Sequence, residues 1–338
     1  MPGKLIVDEI EDSGGTSVIG RKNYLINGNF DIWQRGTSLT GQTSSKYLAD
    51  RWKAEASNAT YNYNQGTFTV GQTDVPNNPE FYADFTVTSA DDNFRPEQRI
   101  EDVKTLAGET ITISFWAKYT SNAPTNFNTT IRQYFGSGGS ADVYTIFATG
   151  QTLTTSWQKF EVTGTVPSIS GKTIGTGNLL GISPFWNGNN ETFDVQIAQV
   201  QVEKGSVATD FEYRHIGEEL NLCARYYQKL ISPRVNFNFD NAGLATNTSL
   251  ISFSIPLINE MRIDSDGTTG TVTKSGDMAI NDFASNGNNL SGTPINYFRL
   301  SKTILQLGLN KATANMTSGS HYELSADNDA YFDIDLEL

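Results

Sequence analysis

The stretch Trp186-Asn-Gly-Asn-Asn-Glu191 gathers one large aromatic ring, three amide side chains and a carboxylate. Sugar recognition uses this set: a ring lies against the C–H face of a pyranose while amides and carboxylates take the hydroxyls, usually from loops or an exposed sheet face. Trp186, Asn187, Asn189, Asn190 and Glu191 are therefore candidate glycan-binding residues. Tyr61 and Tyr63, two apart on an expected strand and so on one face of it, form a second candidate. The competing reading for all of these is an aromatic anchoring a long loop to the core, in a chain with 19 Phe and 14 Tyr.

Other chemistries find less support. Nucleophilic catalysis by a Ser-His or Cys-His pair needs a histidine beside the nucleophile, and the two histidines, His215 in FEYRHIGEE and His321 in SGSHYEL, sit in no such setting. Zinc-type Cys/His spacing, a phosphate-binding G-x-x-x-x-G-K-[ST], a dinucleotide G-x-G-x-x-G turn and H-E-x-x-H are all missing. Glycoside hydrolysis needs only two carboxylates at the right separation, which an acidic chain can supply, yet no motif points to it. The expectation is a protein without catalysis that requires no cofactor.

Composition narrows the partners. A formal net charge of -13 opposes binding to nucleic-acid phosphates, which depends on clustered Lys and Arg. No run of eighteen apolar residues suggests membrane insertion, and the first residues, MPGKLIVDEIEDSGG, carry no secretory signal. The expected site of folding is a cytosol. The single cysteine, Cys223, cannot form an internal disulfide, so stability must come from packing or assembly.

The elements that would position these residues are strands. Charged residues make up 18% of the chain against 30 Gly and many Asn, Thr and Ser, which reads as all-β with polar loops. Residues 1–22 form an extended arm with one short strand, LIVDEI. Residues 23–215 show short strands between turn signals, the pattern of a jelly-roll sandwich. Along Glu109–Tyr119, Ile111, Ile113, Phe115 and Ala117 share the apolar face, whereas Trp116 stands on the polar one, either under a second layer or facing a groove. Ile131–Tyr134 and Val143–Phe147 flank the glycine-rich FGSGGSAD and read as a hairpin. WQKFEVTGTV from Trp157 and Thr192–Val202 add two strands, the second with a slip in apolar parity between Ile197 and Val200 that predicts a bulge.

Residues 216–231 read as a linking helix, Glu218–Leu230, opening with two carboxylates, closing with Arg225 and Lys229, and stopped by Pro233. Leu220, Cys223, Tyr227 and Leu230 make one apolar stripe, with Leu222 and Tyr226 off it. More than one side of the helix therefore needs burial. Either a symmetric homotrimer or a wedge between two domains of one subunit would provide it, and the trimer is the expectation. Residues 232–338 form a second, C-terminal β domain, with SLISFSIPL, MRID, TGTVTKS, YFRLSKTILQLGL and YFDIDLEL as strands.

The sequence VQVEKGSVATDFEYR, followed by an acidic start and LCARYY, resembles the end of a carbohydrate-binding-module-like sandwich common in bacteriophage tail-fibre proteins. NGNFDIW, ISFWAKY, WQKFEVTGTV and FDVQIAQVQVEKG occur in the order that fold uses, so the resemblance spans about residues 23–229. The arm LIVDEIEDSGGTSV is similar to segments that attach a fibre to the particle through another virion protein. The resemblance also implies a structural calcium near Asn29, Asp31 and Asp194, for which turn capping or a surface carboxylate is the alternative. It implies a trimeric phage virion protein of the tail fibre or spike type, adhering to host surface polysaccharide. The alternatives are a head fibre or capsid decoration protein with a structural role, and a polysaccharide depolymerase tailspike.

Overall fold

Alternation along the strand Thr110–Lys118 sets up the first layer: Ile111, Ile113, Phe115 and Ala117 are fully buried in the core. The computed structural model describes residues 22–91, 93–232, 237–245, 250–262, 270–275, 278–282, 285–289, 295–301, 303–310, 321–326 and 329–337. The expected arm over 1–22 lies outside them except for Lys22. The chain is almost entirely β and divides into two units after Glu219.

Twelve strands build the first unit: β1 Ser38–Gln42, β2 Lys46–Tyr47, β3 Trp52–Glu55, β4 Thr60–Thr67, β5 Phe81–Asp91, β6 Arg95–Glu101, β7 Thr110–Lys118, β8 Phe127–Tyr134, β9 Val143–Gln151, β10 Gln158–Thr165, β11 Leu179–Trp186 and β12 Glu191–Lys204. They form two six-stranded antiparallel sheets, ordered β1-β4-β5-β12-β7-β10 and β2-β3-β6-β11-β8-β9, which is a jelly-roll sandwich. Between the sheets lies an aromatic lattice. Tyr63 meets Phe85 at 4.3 Å between ring centroids, Phe127 meets Phe185 at 4.9 Å, and Phe94 meets Phe193 at 5.7 Å.

The expected hairpin is present as β8 paired with β9, and the expected bulge is present in β12. Its pairing with β7 shifts between Ala198 and Gln201, where Gln199 takes a φ of 47°. The shift lets Val195 and Ile197 before it and Val200 and Val202 after it all reach the core. Trp116 is covered by a second layer. With Trp157 and Tyr82 it packs on Phe68, Val75 and Ala198, outside the main core.

Residues 23–28 are tied to β12, the last strand of the first unit. Gly28 accepts from the Val200 N–H at 2.8 Å, and a Cβ on Gly28 would stand 2.2 Å from the Val200 carbonyl oxygen, so only glycine fits. Asn27 donates to the Ile32 and Asp50 carbonyls at 2.9 and 3.0 Å, and Asn23 donates to the Val200 carbonyl at 3.1 Å.

The helix at the junction of the two units is shorter than the sequence suggests. The helix α1 spans Ile216–Ala224, and Tyr227–Ile231 is a strand, β13. A local turn, Tyr226 N–H to the Cys223 carbonyl at 2.9 Å, ends the helix. The aromatic YYQKLI run then pairs with YFDID, Tyr227 opposite Asp335 and Leu230 opposite Phe332, so tertiary pairing overrides the helical period. Lys229 sits 3.8 Å from the Tyr331 ring centroid instead of closing a helix.

The remaining strands are β14 Phe237–Ala245, β15 Leu250–Pro256, β16 Thr271–Ser275, β17 Met278–Asp282, β18 Ser285–Asn289, β19 Ile295–Leu300, β20 Ile304–Asn310, β21 His321–Ala326 and β22 Tyr331–Asp335. They form a three-stranded sheet, β13-β22-β16, and a seven-stranded one, β18-β17-β21-β14-β15-β20-β19. Phe253, Leu307, Leu324, Phe332 and Ile334 are among its core residues. YFRLSKTILQLGL is two strands rather than one. MRID is not a strand at Met261 and Arg262, and its last two residues lie outside the described ones, as does Leu338.

Candidate functional site

The outer face of the second sheet of the first unit carries an open cleft of about 400 Å³ lined by Asn93, Arg95, Thr130, Tyr144, Ile146 and Trp186. Strand parity aims these side chains outward. Thr130 lies opposite Ile146, and Arg132 opposite Tyr144, while the intervening Ile131 is core. On β11, Gly181 pairs with both Arg99 and Arg132, and the Glu97 carboxylate takes the space that a side chain there would fill. Tyr144 and Ile146 are the cleft's wet wall, 58% and 52% exposed where most large apolar residues of the unit are buried.

A polar network holds the wall in place. Asn93 Oδ1 accepts from Trp186 Nε1 at 2.9 Å and from Arg95 Nη1 at 2.7 Å. Arg95 Nε donates to Glu97 Oε2 at 3.2 Å, and Arg99 Nε donates to Glu97 Oε1 at 2.8 Å. Arg99 also pairs with Glu55, which Lys53 meets at 2.8 Å. Burial would raise the Glu55 carboxyl, but the Lys53 and Arg99 cations outweigh it and lower the group to about 2. Arg132 donates to Asp142 through Nε at 2.9 Å, with Nη2 at 2.7 Å. Its guanidinium lies 5.6 Å from the Tyr144 ring centroid and 5.1 Å from that of Tyr134.

Of the residues expected to bind glycan, Trp186 lines the cleft and the rest of its loop does structural work. Asn187 is fully buried, donating to the Asn126 carbonyl at 3.0 Å and to Glu191 at 2.7 Å. Glu191 accepts further from Thr125 N–H at 2.9 Å, Thr125 Oγ1 at 2.6 Å and Asn189 at 3.3 Å. Burial pushes its carboxyl up, but these bonds outweigh it and the group lies below the usual carboxylate range. Asn190 turns the chain at φ 53°. The expectation for Tyr61 and Tyr63 is corrected: both rings are fully buried in the core, and the Tyr61 hydroxyl donates to the Ser44 carbonyl at 2.8 Å, so neither can stack on a sugar. Burial pushes both phenols well up. Asn93, Arg95, Thr130, Tyr144 and Ile146 were not singled out from sequence. The Arg95-x-Glu97-x-Arg99 alternation was the available signal, because like-facing charges along a strand mark an ordered polar face.

The residues expected near a calcium are engaged in local hydrogen bonds. Asp194 accepts from Thr120 Oγ1 at 2.6 Å, Ser121 Oγ at 2.7 Å and Asn122 N–H at 2.6 Å, so both its oxygens are spent on one loop. Asn29 Nδ2 donates to both oxygens of Asp31 at 3.0 Å, and Asn29 Oδ1 is buried without a hydrogen-bond partner. Among the described residues no group of three or more His, Cys, Asp or Glu is placed to hold a metal.

The expected oligomer surface is likewise corrected in part. Cys223, Tyr226, Tyr227 and Leu230 are buried within the single chain, Tyr227 donating to Asp333, so they offer nothing to a second copy. Leu222 is half-buried and Leu220 is 41% exposed.

No family model matches the chain, and no curated protein matches its sequence. Among solved structures, the CBM22-1 xylan-binding domain from Paenibacillus barcinonensis Xyn10C aligns at 10% identity and a TM-score of 0.34, over 51% of this chain and 94% of that one. The C-terminal family 22 carbohydrate binding module of Clostridium thermocellum Xyn10B aligns at 11% and 0.36, over 60% and 100%. The enzymatically active domain of bacteriophage CBA120 tailspike protein 4 aligns at 13% and 0.32, over 54% and 21%. At that similarity they identify neither a family nor a ligand for this chain.

Proposed function

We propose that this protein is a non-catalytic virion protein of the phage tail fibre or spike type that adheres to host surface glycans through the cleft bounded by Trp186 and Tyr144. The observation that carries the reading is the cleft itself. Two aromatic rings and an aliphatic wall surround Arg95 and Asn93, which suits a pyranose with apolar faces and polar edges. The six lining residues include no carboxylate, whereas hydrolysis needs a pair, which favours adhesion over cleavage.

The virion assignment rests on the resemblance of VQVEKGSVATDFEYR and the ordered strand motifs to tail-fibre sandwiches, and the arm would dock on another virion protein. A homotrimer would use the helix ridge of Ile216 and Leu220, 47% and 41% exposed and one turn apart. Polysaccharide arrays of host envelope material test the adhesion: binding that Tyr144→Ala and Trp186→Ala weaken is expected, and release of reducing sugar would revive the depolymerase. Light scattering tests the assembly, with about three times the 37.1 kDa chain mass expected and the single-chain mass overturning the trimer. A particle map with the protein on the head would favour a head fibre or capsid decoration protein.

A further inference from the structure

We propose that the cleft selects glycans carrying a carboxylate, such as a uronate or a sialate unit, over neutral chains; this rests on the glycan reading above. Arg95 is the one charged residue among the six that line the cleft. Its ionic partner does not neutralise it in full. Glu97 has a side chain 0% exposed and divides its two oxygens between Arg95 and Arg99. The cluster as a whole sets three cations, Lys53, Arg95 and Arg99, against two carboxylates, Glu55 and Glu97. Arg95 brings a positive charge to the cleft wall. That contrasts with a molecule whose net charge is -13, so the preference would be local to the cleft.

The donor arithmetic points the same way. Trp186 Nε1 is spent on Asn93, which leaves the indole as a stacking surface. A guanidinium carries five N–H groups, and Arg95 uses Nη1 for Asn93 and Nε for Glu97, so it keeps donors for a ligand. A planar fork of N–H groups matches a carboxylate with two parallel bonds, while a hydroxyl takes one. The same guanidinium lies 5.9 Å from the Tyr144 ring centroid, so a sugar stacked on Tyr144 would bring an acidic substituent within its reach.

The test is an array of uronate- and sialate-bearing polysaccharides, each paired with its carboxyl-reduced neutral counterpart, probed with the full-length protein. Wild type should bind at least one acidic member about tenfold or more tightly than its reduced form. That preference should shrink as salt rises from about 0.05 to about 0.5 M. Arg95→Gln should remove the preference, with Arg95→Lys restoring part of it. Because Arg95→Gln also releases Asn93 and Glu97, the salt dependence of unaltered protein stands as a readout free of folding effects. Equal or tighter binding to the reduced forms overturns the selectivity and leaves the glycan reading intact. No binding to any member, acidic or neutral, overturns the glycan reading and this inference with it.

Discussion

Trp186 and Arg95 donate to one and the same oxygen, Asn93 Oδ1, the indole from 2.9 Å and the guanidinium from 2.7 Å. A single amide therefore sets the angle of the stacking ring and the place of the cation. Removing the ring deletes stacking area, and removing the amide only loosens it. Trp186→Ala should weaken glycan binding by about 2 kcal/mol, roughly thirtyfold. Asn93→Ala should weaken it by about 1 kcal/mol, roughly fivefold. Calorimetry on both variants checks the ranking, and Asn93→Ala costing as much as Trp186→Ala would contradict it.

Glu191 holds the loop that carries Trp186 by accepting from Thr125, Asn187 and Asn189. Glu191→Ala should lower stability by about 1–2 kcal/mol at neutral pH, with binding falling as the loop loosens. The sign against pH follows from the lowered carboxyl. The stabilisation is present above the unfolded value and lost as pH falls through the folded one, so wild type and variant should converge in acid. Denaturant melts at neutral and acid pH measure this, and a gap that widens in acid would be inconsistent with it.

Much of the sandwich was legible because its signals are local. The alternation of Ile111, Ile113, Phe115 and Ala117, the glycine-rich β8–β9 turn and the parity slip at Gln199 each name a strand feature directly. What was not legible depended on partners distant in sequence. Tyr226 to Leu230 continue a helical period, and only the YFDID strand a hundred residues on makes a strand the better outcome. Tyr61 and Tyr63 share a face as read, but which face is core was decided by Phe85 on the neighbouring strand β5 and by Phe94 across the sandwich. Of the cleft, only Trp186 was visible, since Asn93, Arg95, Thr130 and Tyr144 meet through pairing of β6, β8, β9 and β11.

Asp194 anchors the Thr120–Asn122 loop. Burial raises its carboxyl, yet the hydroxyl and N–H donors outweigh this and hold it below the usual value, as a fully engaged carboxylate should be. Asp194→Ala should cost about 2–4 kcal/mol by leaving those donors without their acceptor. Calcium in millimolar excess and a chelator should leave the melting temperature of the wild type unchanged, since an ion bound only to the native state would raise it. A calcium-dependent rise in wild type that Asp194→Ala abolishes would restore the metal reading.

Asp31 works against the fold at neutral pH. Burial pushes its carboxyl up from 3.8 to about 6; the Asn29 hydrogen bond only partly offsets this, and the charges of Glu219 and Glu80 add to the rise. The folded state thus holds this proton more tightly than the unfolded chain does. Its contribution is fully present below about pH 4 and is lost as pH rises to about 6, so above that the ionised group is a liability on the order of 3 kcal/mol. Asp31→Asn removes the charge and still offers Asn29 Nδ2 an oxygen to donate to. The variant should be more stable than wild type at about pH 7.5 and match it at about pH 4, as read from urea midpoints at the two values. Asp31→Asn being the less stable protein at the higher pH would show that the carboxylate is stabilised by a partner outside this account.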